Sequence, residues 1–145
     1  MGLNNAMDIS VSGINAERNH MEMISSNIAN IDTTKTSDGG TYKRKIAVYY
    51  EKPLSFGTEL EKAQRKIEGL SGGVDVKAVD DNTTPMQRVY NPSHPDADEN
   101  GYVTLPNVSI ATEMTDLVYT SKVYEANVNM FNATKKMIQD TLQIQ

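Results

Sequence analysis

Both ends of this 145-residue chain repeat apolar residues at seven-residue intervals, whereas the middle of the chain does not. In the N-terminal part the repeating positions are Met7, Ile14, Met21 and Ile28. In the C-terminal part they are Ile110, Leu117, Tyr124, Phe131 and Ile138. A seven-residue repeat lines one narrow face of a helix and is typical of helices that pack side by side. The sequence therefore predicts a long helix at each end, each with an apolar stripe to bury.

The N-terminal pattern predicts a helix over residues 3–30. Ile24 adds a second apolar position at helical spacing between two members of the main row. The stripe is imperfect, because Ser10 and Glu17 occupy two of its positions and several asparagines in the segment are poor helix formers.

The C-terminal pattern is more regular. Its second row falls four residues after members of the first and consists of Met114, Val128 and Leu142. Pro106 precedes the segment, and Asn107 or Ser109 can cap the first turn of the helix. Two such rows over about five heptads are a coiled-coil pattern.

The two stripes leave open what they pack against. In an arbitrary chain, each would be the core face of a helix within one domain. Here both stripes are long and narrow and lie at opposite ends of the chain, and isolated helices are only marginally stable in water. We therefore expect the ends to pack on each other, on copies of themselves, or on both, and to be loose in a dilute monomer.

The middle of the chain predicts short β-strands. Strand patterns occupy residues 42–51, 74–79, 86–90 and 102–105. Thr58 and Glu61 form a capping box for a short charged helix, and a mobile excursion explains that segment equally well. The predicted fold class is α+β. N- and C-terminal helices pair as an antiparallel coiled-coil-like assembly domain, with a small β-rich middle part and an extended loop.

We place domain boundaries where the pattern changes. Residues 1–34 form the N-terminal helix of the assembly domain, residues 107–145 form its C-terminal helix, and residues 35–106 form the β-rich middle part with a variable stretch at 53–73. Apolar residues make up 38% of the chain and aromatic residues 6%, which is too little for one large core. An elongated subunit, or one completed by its neighbours, fits this composition better.

The charge balance bears on the class of partner. The formal net charge of −5 disfavours nucleic-acid binding, which needs a positive surface. Residues 35–66 carry eight basic and four acidic residues, whereas residues 75–125 carry nine acidic and three basic residues. Such a division can orient subunits against each other, and two solvated surfaces without a partner explain it equally well.

Features that are missing limit the chemistry further. The chain has no Cys, which excludes disulfides and thiolate metal sites. No apolar run approaches the roughly 20 residues of a membrane helix, so we expect no direct membrane insertion. The first residues lack the pattern of a cleavable signal, so passage out of the cytoplasm would require another machine.

Signals for catalysis or ligand binding are weak. The two histidines, His20 and His94, lie in no catalytic motif, and the chain has no phosphate loop or dinucleotide fingerprint. We expect no catalytic residue, no cofactor and no metal site. Residues 96–101 match the first half of a calcium loop, but Asn107 takes the place of its bidentate carboxylate, so a polar turn is the better interpretation.

Three segments resemble bacterial flagellar axial proteins. Residues 25–45 contain the Asn-Ile-Ala-Asn core, from Asn27 to Asn30, that rod, hook and hook–filament junction proteins share after their first helix. Residues 89–108 and 124–144 resemble the middle block and the C-terminal helix of the basal-body rod members. These segments cover about half of the chain, and they are most similar to the proximal-rod proteins of that family.

The resemblance implies a structural, non-enzymatic subunit that stacks helically with copies of itself and with other rod proteins to transmit torque. It implies a location in the basal body, in the rod that crosses the periplasm or cell wall, and type III export without a cleaved signal peptide. A rod-to-export-gate adaptor and the surrounding rings are further implied neighbours. The alternative is a soluble helical adaptor or chaperone-like binding module, which would be a well-folded monomer or dimer.

The predicted site is accordingly an assembly interface rather than a pocket. Asn27 and Asn30 match the family core, and they either satisfy free backbone groups at the helix end or simply interrupt the helix. The other predicted interface residues are apolar: Met7, Ile14, Met21, Ile24 and Ile28 in the first helix, and Ile110, Met114, Leu117, Tyr124, Val128, Phe131, Ile138 and Leu142 in the second.

Overall fold

The computed structural model of the chain describes residues 3–37, 39–52 and 72–143. In chain order its elements are helix α1 (Leu3–Ala29), strands β1 (Lys45–Glu51), β2 (Val74–Asp80), β3 (Gln87–Tyr90) and β4 (Tyr102–Leu105), and helix α2 (Ile110–Gln143). Two terminal helices with a small β part between them confirm the predicted α+β class. The short helix predicted after Thr58 lies outside the described residues.

Local hydrogen bonds explain where the helices end and begin. Beyond the end of α1, the side-chain Nδ2 of Asn30 donates to the carbonyl of Ser26 at 2.8 Å, which satisfies a carbonyl that the helix leaves free. Before α2, the carbonyl of Ser109 accepts a hydrogen bond from the amide of Glu113 at 2.9 Å. Ser109 therefore holds the N-cap position, as one of the two predicted capping residues.

The strands form two separate two-stranded sheets, one of β1 with β2 and one of β3 with β4. β3 and β4 pair antiparallel from Gln87 opposite Leu105 to Tyr90 opposite Tyr102. Beside β1 and β2, the amide of Lys52 donates to the carbonyl of Gly73 at 3.0 Å, and the amide of Asp81 donates to the carbonyl of Arg44 at 2.8 Å. Residue numbers rise along one strand and fall along the other, so this pair is antiparallel as well.

Two compact units make up the described residues. The first unit draws on the chain up to His20, from Val48 to Lys77 and from Tyr119 onward, and the second on Met21–Ala47 and Ala78–Val118. Buried side chains of the first unit are Ser10, Ala16, Glu17, Val76, Thr120 and Thr134. Those of the second are Ile24, Asn27, Tyr42, Asp81, Val103, Pro106, Asn107 and Glu113. At least half of the buried side chains in each unit are therefore polar, and hydrogen bonds must satisfy their polar groups.

Candidate assembly interface

Asn27 organises the interior of the second unit. The residue is 1% exposed, and its Nδ2 donates to the carbonyl of Lys45 at 2.9 Å and to Oε2 of Glu113 at 3.0 Å. Its Oδ1 accepts hydrogen bonds from the amide of Lys45 at 2.9 Å and from the hydroxyl of Tyr42 at 3.0 Å. One amide side chain thus joins the last turns of α1 to the first residue of β1 and to the first turn of α2. The backbone groups that Asn27 satisfies belong to Lys45 in β1 rather than to the end of its own helix.

Glu113 brings a buried charge into the same cluster. Its side chain is fully buried, and its Oε1 lies 2.6 Å from Nε of Arg44. Nη2 of Arg44 also pairs with Oδ2 of Asp116 at 3.0 Å. Burial opposes the charge on Arg44, but the hydrogen bond and charge of Glu113, with the charges of Asp116 and Asp81, outweigh it and raise the Arg44 pKa. Part of the charge division seen in the sequence is therefore neutralised inside this unit.

Asn107 fixes the chain that leads into α2. Its Oδ1 accepts a hydrogen bond from the amide of Arg44 at 2.8 Å, and its Nδ2 donates to the carbonyl of Asp81 at 3.1 Å. Hydroxyl and amide hydrogen bonds from Thr83 and Thr84 lower the pKa of the Asp81 carboxyl. Asn107 is thus a positioning residue of the second unit rather than a helix cap.

A second polar cluster lies in the first unit. Nδ1 of His20 is 2.8 Å from the Tyr49 hydroxyl and 3.2 Å from Oγ1 of Thr120, which is fully buried. The Tyr49 hydroxyl donates to the carboxylate of Glu17, 3.2 Å from each oxygen. A hydroxyl has one proton, so we assign the Nδ1 proton of His20 as the donor to Tyr49. Burial, followed by the charge of Glu17 and its hydrogen bond, raises the pKa of Tyr49.

Gly13 marks a third close approach, also in the first unit. A Cβ atom at this position would lie 2.9 Å from Nδ2 and 3.1 Å from Cγ of Asn127, so any larger residue at position 13 would require the Asn127 side chain to shift. The residue numbers in three contacts follow one regular spacing: Gly13 with Asn127, His20 with Thr120, and Asn27 with Glu113. Each step is seven residues forward in α1 and seven residues backward in α2.

The structure places the predicted interface residues at very different depths. Ile24 and Asn27 are buried. Ten more are half-buried: Met7, Ile14, Met21, Ile28, Asn30, Leu117, Tyr124, Val128, Phe131 and Ile138. Ile110, Met114 and Leu142 are 50%, 57% and 68% exposed. The most deeply buried positions of α2 are instead Glu113, Thr120 and Thr134. A scan for apolar periodicity missed them, although Glu113, Thr120, Asn127 and Thr134 also recur every seven residues.

An apolar stripe runs along another side of α2. Its residues follow one another at alternating steps of four and three residues: Tyr119, Val123, Ala126, Met130, Ala133 and Met137. Tyr119, Met130 and Met137 are 70%, 63% and 53% exposed. We call these six residues the outer stripe. Its spacing is that of a coiled-coil seam, and the sequence reasoning did not find it.

Other polar features of the described residues relate to the motifs of the sequence. No group of three or more His, Asp or Glu side chains among them could hold a metal ion, and no described helix is long and apolar enough to cross a membrane. Asp96 and Asp98, the first and third residues of the calcium-like loop, already accept hydrogen bonds from Thr34 Oγ1 and from the amide of Tyr102, respectively. A cleft of about 420 Å³ has Lys43 and Lys45 in its lining and a single carboxylate, Asp80.

Known proteins match both ends of the chain and nearly its whole length. Residues 7–35 match the family described as flagella basal body rod protein, and residues 99–144 match the C-terminal family of the flagellar basal body rod FlgEFG proteins. Flagellar basal-body rod protein FlgC of Bacillus subtilis is 36% identical over 96% of this chain and 95% of its own length. The FlgC proteins of Borreliella burgdorferi and Salmonella typhimurium are 34% and 33% identical, each over 99% of this chain and 98% of their own length. This chain belongs to the FlgC family of flagellar basal-body rod proteins.

Proposed function

We propose that this chain is a structural subunit of the flagellar basal-body rod and has no enzymatic activity of its own. Its family membership supports this role, because the relatives that match along nearly the whole chain are rod proteins. The subunit stacks with copies of itself and with other rod proteins, and the stack transmits torque. Its contacts are therefore broad and helical rather than concentrated in a pocket.

The two terminal helices pair as an antiparallel, coiled-coil-like assembly domain. Residues 1–34 and 107–145 supply the helices, and residues 35–106 form the middle part. Two contacts of the first unit, Gly13 with Asn127 and His20 with Thr120, support this pairing. They step in opposite directions along the two helices at the seven-residue interval of a coiled coil.

One observation carries the proposal: the most deeply buried positions of α2 are polar, whereas large apolar residues of the outer stripe remain exposed. Glu113 and Thr120 are 0% exposed, while Met130 is 63% and Met137 is 53% exposed. Burying a large apolar side chain stabilises a complex by about 1.5–3 kcal/mol. A regularly spaced row of such side chains on an otherwise polar helix is a surface for another helix.

Neighbouring subunits cover this surface. The outer stripe faces other subunits, together with the exposed predicted residues Ile110, Met114 and Leu142. The half-buried predicted residues contribute both to packing within the subunit and to contacts with its neighbours. An open helical stack needs two different faces on each subunit, because its contacts are head-to-tail rather than two-fold symmetric. The divided charge of the chain helps to orient those faces.

The subunit acts in the basal body, in the part of the rod that crosses the periplasm or cell wall. It reaches that place through the flagellar type III apparatus without a cleaved signal peptide. The rod-to-export-gate adaptor and the surrounding rings are its further neighbours. Rod-protein family membership supports the basal-body location.

A pair of charge substitutions tests the assembly role. In cells that lack the natural gene, we expect Met130→Glu with Met137→Glu to abolish swimming and to leave basal bodies with rings but without a complete rod. The matched control is Asn132→Glu with Gln139→Glu, which adds the same charges at the same spacing on exposed positions outside the outer stripe. The control should swim, and both purified variants should keep the helical circular dichroism of the wild type. Full motility of the stripe variant would overturn the proposal and favour the soluble adaptor.

A further inference from the structure

The apolar rows of the two helices cannot select one alignment of the helices. In α1 the main row repeats every seven residues, and so does the main row of α2. If one helix slides past the other by seven residues, apolar residues still face apolar residues. Something else must decide which residues face each other.

The polar contacts differ at every heptad and can make that choice. Gly13 is opposite Asn127, His20 is opposite Thr120, and Asn27 is opposite Glu113. In every one of these pairs the two residue numbers add to 140. A helix rises by a constant amount per residue, so a residue fixed at one point of a continuous helix also determines which residues face its partner elsewhere.

We propose that Glu113 and Asn27 set the alignment of the two helices, with Glu113 as the discriminating residue. This inference rests on the helix pairing proposed above. Glu113 is fully buried, and the two donors that compensate its charge, Asn27 and Arg44, are held next to each other in the structure. Asn27 donates to Oε2 at 3.0 Å, and Arg44 donates to Oε1 at 2.6 Å. Asn27 also holds the backbone of Lys45, the residue next to Arg44, at 2.9 Å on both its amide and its carbonyl.

If one helix slides past the other by one heptad, Glu113 loses both of its donors, Asn27 and Arg44, at the same time. In one direction the carboxylate moves opposite His20, whose Nδ1 already contacts Tyr49 and Thr120. In the other direction it moves opposite Thr34, beyond the end of α1 at Ala29. Both alignments leave a buried carboxylate without Arg44, and a buried charge without its partner is strongly destabilising. A polar residue that selects one alignment at some cost in stability is the best-attested use of buried polarity in helix pairs.

Engineered disulfides in the cysteine-free chain can report the alignment. Gly13→Cys with Asn127→Cys reports the native alignment. A Cβ at position 13 lies 3.1 Å from Cγ of Asn127, and the sulfur of a cysteine at position 127 would take the place of that Cγ. Ala6→Cys with Asn127→Cys reports a slide of one heptad. Each pair is introduced into the full-length chain and oxidised mildly under conditions in which far-UV circular dichroism shows that the terminal helices are formed. The disulfides are quantified by non-reducing electrophoresis and mass spectrometry.

The ratio of slipped to native disulfide is then compared among variants. We expect it to rise at least about tenfold in Glu113→Leu, which replaces the buried charge by a side chain that suits every heptad. A smaller rise is expected in Glu113→Gln, which keeps an acceptor but loses the charge. Leu117→Ala is the control, because it weakens the apolar row next to Glu113 and should leave the ratio unchanged.

The outcomes separate this inference from the proposed function. If the native pair does not form in preference to the slipped pair in the otherwise wild-type chain, the helix pairing itself is wrong. If the native pair forms and the ratio stays the same in both Glu113 variants, Glu113 does not set the alignment, and the pairing stands. If Glu113→Leu loses its helical circular dichroism, the comparison of Glu113→Gln with wild type decides, and an unchanged ratio overturns the inference.

Discussion

Replacing Asn27 by alanine removes four hydrogen bonds from the interior of the second unit in one step. Two of them join Asn27 to the backbone of Lys45, one joins it to the Tyr42 hydroxyl, and one joins it to Glu113. The alanine side chain is smaller and offers no polar atom. The amide and carbonyl of Lys45 and the oxygen of Glu113 therefore lose a partner while most of their surroundings stay in place.

The structure sets the size of the effect. A hydrogen bond between neutral groups contributes about 1 kcal/mol of net stability, and one to a charged group contributes about 1.5–3 kcal/mol. Three bonds of the first kind and one of the second are lost, but Lys45 is exposed, so water can replace part of what its backbone loses. We expect Asn27→Ala to lower the free energy of unfolding by about 3–5 kcal/mol, which is a large share of the about 5–15 kcal/mol typical of a domain.

Urea unfolding followed by far-UV circular dichroism measures this loss. Asn15→Ala is the matched control, because Asn15 lies on the same helix and is exposed. It should change the free energy of unfolding by less than about 0.5 kcal/mol, and the higher helix propensity of alanine favours a small gain. If the two variants unfold at the same urea concentration with the same slope, the interior hydrogen bonds of Asn27 do not stabilise the subunit, and the account of the buried cluster fails.

Two further predictions concern the backbone and the dependence of stability on pH. Gly73→Ala should cost about 1–3 kcal/mol more than Gly39→Ala in urea unfolding. Both glycines have positive φ, but a Cβ at Gly73 overlaps the Ser12 hydroxyl, whereas nothing lies within 4 Å of one at Gly39; equal losses would contradict this steric reason. Because hydrogen bonds from Thr83 and Thr84 lower the pKa of Asp81, this carboxylate stabilises the fold above the unfolded-state pKa of about 3.9. That contribution disappears as the pH falls further. Asp81→Asn should therefore be less sensitive to acid than the wild type in urea midpoints measured from neutral pH downward, and parallel curves would refute this.

The elements of the fold could be predicted because their signals are local. The β4 strand has its predicted bounds, Tyr102–Leu105, and α1 ends one residue before the predicted position 30. β1 begins at Lys45 rather than at residue 42. The reason is tertiary, since the amide of Tyr42 bonds the carbonyl of Thr33 at 3.2 Å instead of joining a strand. Alternation and capping residues are properties of a few neighbouring residues, whereas this contact joins separate parts of the chain.

The candidate site could be predicted only in part, because burial of a polar side chain depends on distant partners. In the sequence, Glu113 is an acidic residue near the start of a predicted helix, and its neighbouring residues do not predict that its side chain is completely buried. Its partners Arg44 and Asn27 are 69 and 86 residues away in the chain. Asn27 was identified from the family core, but the contacts that give it a physical role involve the backbone of Lys45 and the side chain of Tyr42.

The sequence by itself determined that the chain has two long terminal helices with heptad periodicity, and it identified the family through the Asn27–Asn30 core. Only the tertiary structure decided which face of α2 is inside. Periodicity gives the spacing of a row but not its direction, and adjacent residues of a helix point about 100° apart. The sequence predicted a packing seam of two apolar rows, with Met114 and Val128 in the second row, whereas the most deeply buried row lies one residue before that second row and includes Glu113 at 0% exposure. Arg44 and Asn27 compensate that charge, and much of the apolar surface stays outside.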